Sequence, residues 1–213
     1  MKREKKQKLP SRRRKTLRRV LIAAAAVFLV NYVFQIGLLF PIQAIRQNEE
    51  RMGTGRTEVI RRDWDPGFRW DFVTYLTKSE NLVMLSGARL TYLGWMDGFG
   101  GVVECTEEAP IHGGTWFLNW GKRAMIYVFG RVDDPDVVEL RIQWTIVGDE
   151  QSDMWDVSKT SEWIEEDGRR YFLCSFGNAN AADYRVPQVV GYDQEGNEVA
   201  RIELEQGTSS SYS

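Results

Sequence analysis

The feature that most constrains this chain is an uncharged run, residues 20–40 (VLIAAAAVFLVNYVFQIGLLF), placed directly behind a basic arm. As an α-helix rising about 1.5 Å per residue, it would extend about 32 Å, enough to cross a bilayer's hydrocarbon core. Residues 1–19 carry eleven Lys and Arg against the single Glu4, a formal +10. By the positive-inside rule such an arm stays cytoplasmic, and everything after Phe40 lies outside. The sequence therefore predicts a cytoplasmic arm over 1–19, a single transmembrane helix over 20–40 and a juxtamembrane linker over 41–55, in which 42–52 could continue as a short polar helix before the Gly53–Thr54–Gly55 break. An extracytoplasmic β domain is expected over 56–206 and a disordered tail over 207–213. A cleaved signal peptide fits less well, because its apolar region runs ~7–15 residues and ends in small residues. Here the run is longer, and Ile42 is bulky.

Two polar residues interrupt the span. Asn31 and Gln35 lie four apart and so share a helix face, where they could hydrogen-bond to another transmembrane helix. Residues 20–213 carry 17 basic and 29 acidic side chains, a formal −12. Opposite charge on the two sides of an apolar run suits two different surroundings. The basic arm complements anionic lipid headgroups. The acidic remainder argues against nucleic acid as a partner. The expected partners are the lipid bilayer and a membrane or envelope protein.

Beyond the linker the pattern is that of strands. Over residues 137–147, Val138, Leu140, Ile142, Trp144 and Ile146 alternate with Glu139, Arg141, Gln143 and Thr145, a period of two with one wet face. Residues 124–132 are apolar on both faces, as in a central strand. Residues 169–176 put Phe172, Cys174 and Phe176 on one side. Residues 186–192 and 198–204 flank a loop ending in Gly196, which reads as a hairpin. Further strands are expected at 57–61, 82–85, 88–93, 101–105 and 115–120. Residues 68–77 could be strand or helix, and 161–166 suggest a short helix. The fold class this implies is mainly β, an antiparallel β-sandwich, Ig-like in architecture, preceded by a single transmembrane α-helix.

Cys105 and Cys174 stand 69 residues apart with Trp120 between them, which resembles the Cys…Trp…Cys spacing of immunoglobulin domains. Position 172, however, is Phe where that family places its corner Tyr, so the architecture is expected without family membership. In an oxidising compartment the two cysteines could close an inter-sheet disulfide; the alternative is two buried thiols. The hairpin around Val189, Gly191, Tyr192 and Asp193, returning through Gly196, Asn197, Glu198 and Val199, resembles the closing hairpin of bacterial Ig-like modules. The layout as a whole is similar to single-pass extracytoplasmic proteins of Gram-positive bacteria.

Candidate chemistry is sparse. His112, Gly113 and Gly114 are similar to the oxyanion-hole loop of lipases, but no G-x-S-x-G nucleophile elbow accompanies them. One His and two distant Cys lack any zinc-ligand spacing. Asp133, Asp134 and Asp136 crowd one loop, and Asp193, Glu195 and Glu198 another, without matching the twelve-residue calcium loop. Glu104 or Glu108 could serve glycoside hydrolysis only at a carboxylate separation that sequence does not give. No catalytic residue, metal ligand or cofactor is assigned. Aromatic rings offer the remaining signal. Of eight tryptophans, Trp64, Trp70 and Trp95 lie near Gly- and Asp-rich loops and are the candidate binding residues. The functional expectation is a non-enzymatic interaction or binding module at the outer face of a bacterial membrane. Its alternatives are a glycan-binding module using exposed Trp and a hydrolase with an unrecognised site.

Overall fold

A computed structural model describes residues 12–34, 38–64, 71–120, 123–146, 156–160, 163–178, 184–204 and 210–212. The chain begins with α1 (Arg12–Phe34) and α2 (Pro41–Met52). Four strands follow as a meander: β1 (Glu58–Trp64), β2 (Phe72–Ser79), β3 (Leu82–Thr91) and β4 (Gly94–Glu104). They form the first antiparallel sheet, in the order β1-β2-β3-β4. The rest of the chain runs through β5 (Ile111–Trp120), β6 (Arg123–Val132), β7 (Glu139–Ile146), β8 (Asp156–Thr160) and β9 (Ile164–Glu166). It ends with β10 (Arg169–Asn178), β11 (Tyr184–Tyr192), β12 (Glu198–Glu203) and β13 (Ser210–Tyr212). These make a middle sheet, β13-β5-β6-β10-β9, and a third, β12-β11-β7-β8.

The mainly β, antiparallel expectation holds, but three sheets stack rather than the two of an immunoglobulin sandwich. The reason is legible in β6. Met125, Tyr127 and Phe129 join Phe72, Leu76, Val83, Leu85 and Phe99 in the core beneath the first sheet. Their alternates Ile126, Val128 and Val132 join Leu140, Ile142, Val189 and Ala200 beneath the third. A strand apolar on both faces needs a cover on both, and β6 has one. The first sheet is also covered twice: Val73, Tyr75, Ala88 and Trp95 on its outer face pack against Ala44 and Ile45 of α2.

Several sequence expectations change here. Residues 41–52 are helical, and because Ala44, Ile45, Asn48 and Glu49 are buried, α2 is a layer of the domain rather than part of a juxtamembrane linker. Residues 164–166 are strand β9, not helix, because they pair with β10 at its turn. Ser210, Ser211 and Tyr212, expected in a disordered tail, pair in parallel with Leu118, Asn119 and Trp120 of β5. The predicted strands at 82–85 and 88–93 are one strand, with an irregularity between Gly87 and Ala88.

Among the described residues, no helix is long and apolar enough to cross a membrane. α1 begins eight residues before Val20, so six Lys and Arg occupy its first two turns. Its stretch over residues 20–34 would measure about 22 Å, short of the ~30 Å hydrocarbon core. Residues 35–37 lie outside the described residues. Leu38, expected inside the span, forms a bridge with β4: its N–H donates to Trp95 O at 2.8 Å, and Trp95 N–H donates to Leu38 O at 2.7 Å. All of residues 13–30 are exposed, including Leu17, Val20, Leu21, Ile22, Val27, Phe28, Leu29 and Val30.

Cys105 and Cys174 are not joined in a disulfide. Cys105 lies in the core under the first sheet, whereas Cys174 packs against the core under the third. The middle sheet stands between them, so of the two alternatives the disulfide cannot close without taking that sheet apart.

Candidate functional site

The sequence feature that organises the site is a two-residue turn of unusual composition. Tyr92 and Leu93 join β3 to β4, where turns normally use Gly, Asn or Asp. Thr91 and Gly94 make the turn rigid: Thr91 Oγ1 donates to Gly94 O at 2.8 Å and accepts from Leu93 N–H at 3.3 Å. Gly94 has φ of 126°, a conformation that a side chain would resist. The turn therefore presents Tyr92, 96% exposed, and Leu93, 40% exposed, on a fixed support.

Neighbouring residues extend this surface. Trp95, the second residue of β4, is the floor of the site, 8% exposed and bridged to Leu38. Trp64 ends β1 and meets Trp95 edge-to-face, with ring centroids 5.7 Å apart and planes at 72°. The Arg62 guanidinium lies 4.9 Å over the Trp64 ring, an attractive cation–π placement. Leu39 and Phe40 come next to Leu38, and their position is set by Gln43, whose Oε1 accepts both of their N–H groups, at 2.9 and 3.0 Å. Among the described residues after α1, seven large apolar side chains are exposed. Leu39, Phe40, Trp64, Tyr92, Leu93 and Met96 all lie at or beside this end of the first sheet; Val102 alone lies further along β4. Soluble domains avoid such concentration unless something covers it.

The structure thus brings two predicted residues, Trp64 and Trp95, together. Trp70 lies outside the described residues. Asn31 falls within α1 and Gln35 outside the described residues, so their shared face is untested. Leu39, Phe40, Tyr92, Leu93 and Met96 were missed by sequence reasoning. The one available signal was a bulky Tyr-Leu pair where a hairpin turn was due.

The support beneath the site is polar and buried. Glu49 of α2 is 3% exposed, and its carboxylate accepts from Arg46 and from Thr57 N–H and Oγ1. Burial alone would push its pKa up, but the Arg46 and Thr57 hydrogen bonds prevail and hold it below the usual carboxylate value. Asn48, fully buried, donates to Ser86 Oγ and Phe99 O, each at 3.0 Å. These bonds lock α2 to the first sheet.

Other candidate chemistry is consumed locally. His112, Gly113 and Gly114 are not a loop but strand residues of β5, and a Cβ on either glycine would press into packed side chains. His112 is buried, with Nε2 3.2 Å from Asp133 Oδ2, and Asp133 is itself held by Arg131. Asp193 caps its own hairpin, accepting from Glu195 N–H and Asn197 N–H. Asn197's side-chain and backbone donors hold the Asp193 carboxyl below its usual value. Asp134 does the same for Asp136 N–H. Among the described residues no group of three or more His, Cys, Asp or Glu is placed to hold a metal ion.

A cleft of about 530 Å³ opens between β2 and the β9–β10 turn. Buried Lys78 pairs across the gap with Asp167 and lies 3.7 Å from Glu58, and Arg169 donates to the backbone carbonyl of Glu80. Burial works against the Lys78 charge, but Asp167, Tyr171 and Glu58 outweigh it and raise its pKa. The cleft reads as an inter-sheet ionic tie.

Comparison with protein-family models, with curated proteins and with solved structures finds no match to this chain.

Proposed function

We propose that this chain is a membrane-associated, non-catalytic interaction protein, held by α1 in a bilayer with its basic arm cytoplasmic and its β domain against the outer face. The observation that carries this reading is α1 itself. Residues 20–30 are eleven consecutive apolar side chains, and every one is exposed. A helix that is apolar all round needs lipid or protein around it, at roughly 25 cal/mol per Å² of apolar surface removed from water. Residues 20–34 of α1 extend about 22 Å, and a bilayer accommodates a span shorter than its hydrocarbon core by thinning and by snorkelling of flanking side chains.

The interaction reading rests on how the ionic groups are used. Glu49, Lys78, Arg131 and Asp193 each serve a named structural contact. Glycan binding is less well supported, because the Trp64 and Trp95 rings meet edge-on rather than as a flat platform.

The test is cross-linking in native membranes with two proteins, the intact chain and one whose residues 20–37 are replaced by a plain leucine–alanine helix. Both should stay in the membrane pellet. Specific proteins recovered with the intact chain and lost with the swap identify the span as the recognition surface. Recovery with both assigns recognition to the β domain. If the intact chain is not in the membrane pellet, the reading fails.

A further inference from the structure

The apolar end of the first sheet is too organised to be a random sticky patch, and its place along the chain says what covers it. We propose that Leu39, Phe40, Trp64, Tyr92, Leu93 and Met96 form an interfacial foot that seats the β domain in the headgroup layer of the same bilayer that holds α1. This rests on the anchored reading above and adds to it an orientation and a lipid-contacting surface.

Continuity is the first argument. α1 ends at Phe34, and Leu38 is already bridged to Trp95 at the centre of the foot. Four Cα–Cα steps separate them, and a chain gains at most ~3.6 Å per residue, so the helix end lies within about 14 Å of the foot. Leu39 and Phe40 are next in sequence and fixed by Gln43. An inserted α1 therefore delivers this end of the sheet, and no other, to the membrane surface.

Composition is the second argument. The foot combines aliphatic side chains with Tyr and Trp, whose rings favour the headgroup level. Arg62, whose guanidinium lies over the Trp64 ring, adds beside it a cation that can pair with anionic phosphates. The depth is appropriate too. Interfacial elements bury apolar groups ~5–10 Å into the headgroup boundary, which a single exposed turn can reach.

Rigidity is the third. Trp95 and Leu38 pair through their backbones, and α2 is tied to β1 and the first sheet by Glu49 and Asn48. The foot, Leu38 and α2 thus move as one body, so seating the foot fixes the tilt of the whole stack. The Asp193–Asn197 hairpin on the third sheet would then point away from the membrane.

The test measures depth by site-directed spin labels on the full chain, in protein-free vesicles of phosphatidylglycerol and phosphatidylethanolamine and in native membranes. Labels replace one residue at a time: Tyr92→Cys in the foot, Val27→Cys in α1 and Gln194→Cys on the far hairpin. The expected result is a lipid-depth signal at 27, a headgroup-depth signal at 92 and a water signal at 194 in both preparations. Leu93→Glu with Met96→Glu should move the label at 92 into water while the label at 27 stays in lipid. A label at 92 in water with the label at 27 in lipid overturns the foot and leaves the anchor standing. A label at 27 in water overturns the anchored reading itself. A label at 92 that is dry in native membranes but wet in protein-free vesicles means that a protein covers the surface, and overturns the lipid assignment.

Discussion

Glu49 shows how much this domain invests in fixing one helix. Its carboxylate is buried against Arg46 and Thr57, and its pKa is held down although burial opposes this. A depressed folded-state pKa means the group stabilises the fold above the ordinary carboxylate range. That contribution is lost as pH falls through the lowered folded value. Glu49→Gln keeps one acceptor but removes the charge that Arg46 needs, and should destabilise by about 1–3 kcal/mol near neutral pH. Thermal melts at successive pH values check this: the gap between the two proteins should close on acidification, and a constant gap would show that the charge is irrelevant. Cys105 gives a second residue-scale prediction. Burial pushes its thiol up to about 11, so almost no thiolate exists at neutral pH. The folded protein should therefore leave Cys105 unalkylated by iodoacetamide. Mass spectrometry after denaturation should find both cysteines reduced, and a Cys105–Cys174 disulfide would contradict the three-sheet stack.

At the level of elements, the decisive contact is α2 on the first sheet. Gly100 lies under Asn48, and a Cβ there would fall on the Asn48 amide and close against Met52. Gly100→Ala should break the Asn48 bonds to Ser86 and Phe99, at a cost of about 1–3 kcal/mol for buried groups left unpaired. Hydrogen exchange would then rise in α2 and at the Leu38–Trp95 bridge while the third sheet stays protected. Uniform loss of protection would instead mean that α2 and the sheets unfold together. This is also where the sequence was hardest to read. The alternation over residues 138–146 and the two-faced apolarity of 124–132 made β7 and β6 legible, because strand periodicity is a local signal. α2 was invisible as a layer because its buried set includes Asn48 and Glu49, polar residues whose partners come from β3, β4 and the entry to β1. The third sheet was hidden for a similar reason: two-faced apolarity marks a central strand but does not say how many sheets cover it. Of the candidate site, Trp64 and Trp95 were legible as aromatics near loops. Leu39 and Phe40 were not, since they looked like the end of the apolar run.

At the scale of the whole molecule, charge and apolarity divide the chain into parts that should respond differently to solvent. The arm is +10 and the remainder −12, so the arm's attraction to an anionic surface is electrostatic and screened by salt. Each nearby Lys or Arg contributes about 1 kcal/mol at physiological ionic strength, so eleven of them could hold the chain on a membrane without any insertion. The apolar part behaves otherwise. In residues 20–37 the Val, Leu, Ile and Phe side chains each favour insertion by ~0.3–0.6 kcal/mol, a few kcal/mol in sum before Asn31 and Gln35 are subtracted. Salt does not touch that term. Two washes separate the mechanisms. Molar salt should leave the full chain in the membrane pellet, and so should alkaline carbonate, which strips peripheral proteins; detergent alone should release it. A chain without residues 1–37 should appear in the supernatant throughout, or cling weakly if the foot of Tyr92 and Leu93 binds lipid unaided. Release of the full chain by salt would mean that the arm alone holds it and that α1 lies outside the hydrocarbon. The exposed apolar residues 20–30 would then require a protein cover instead.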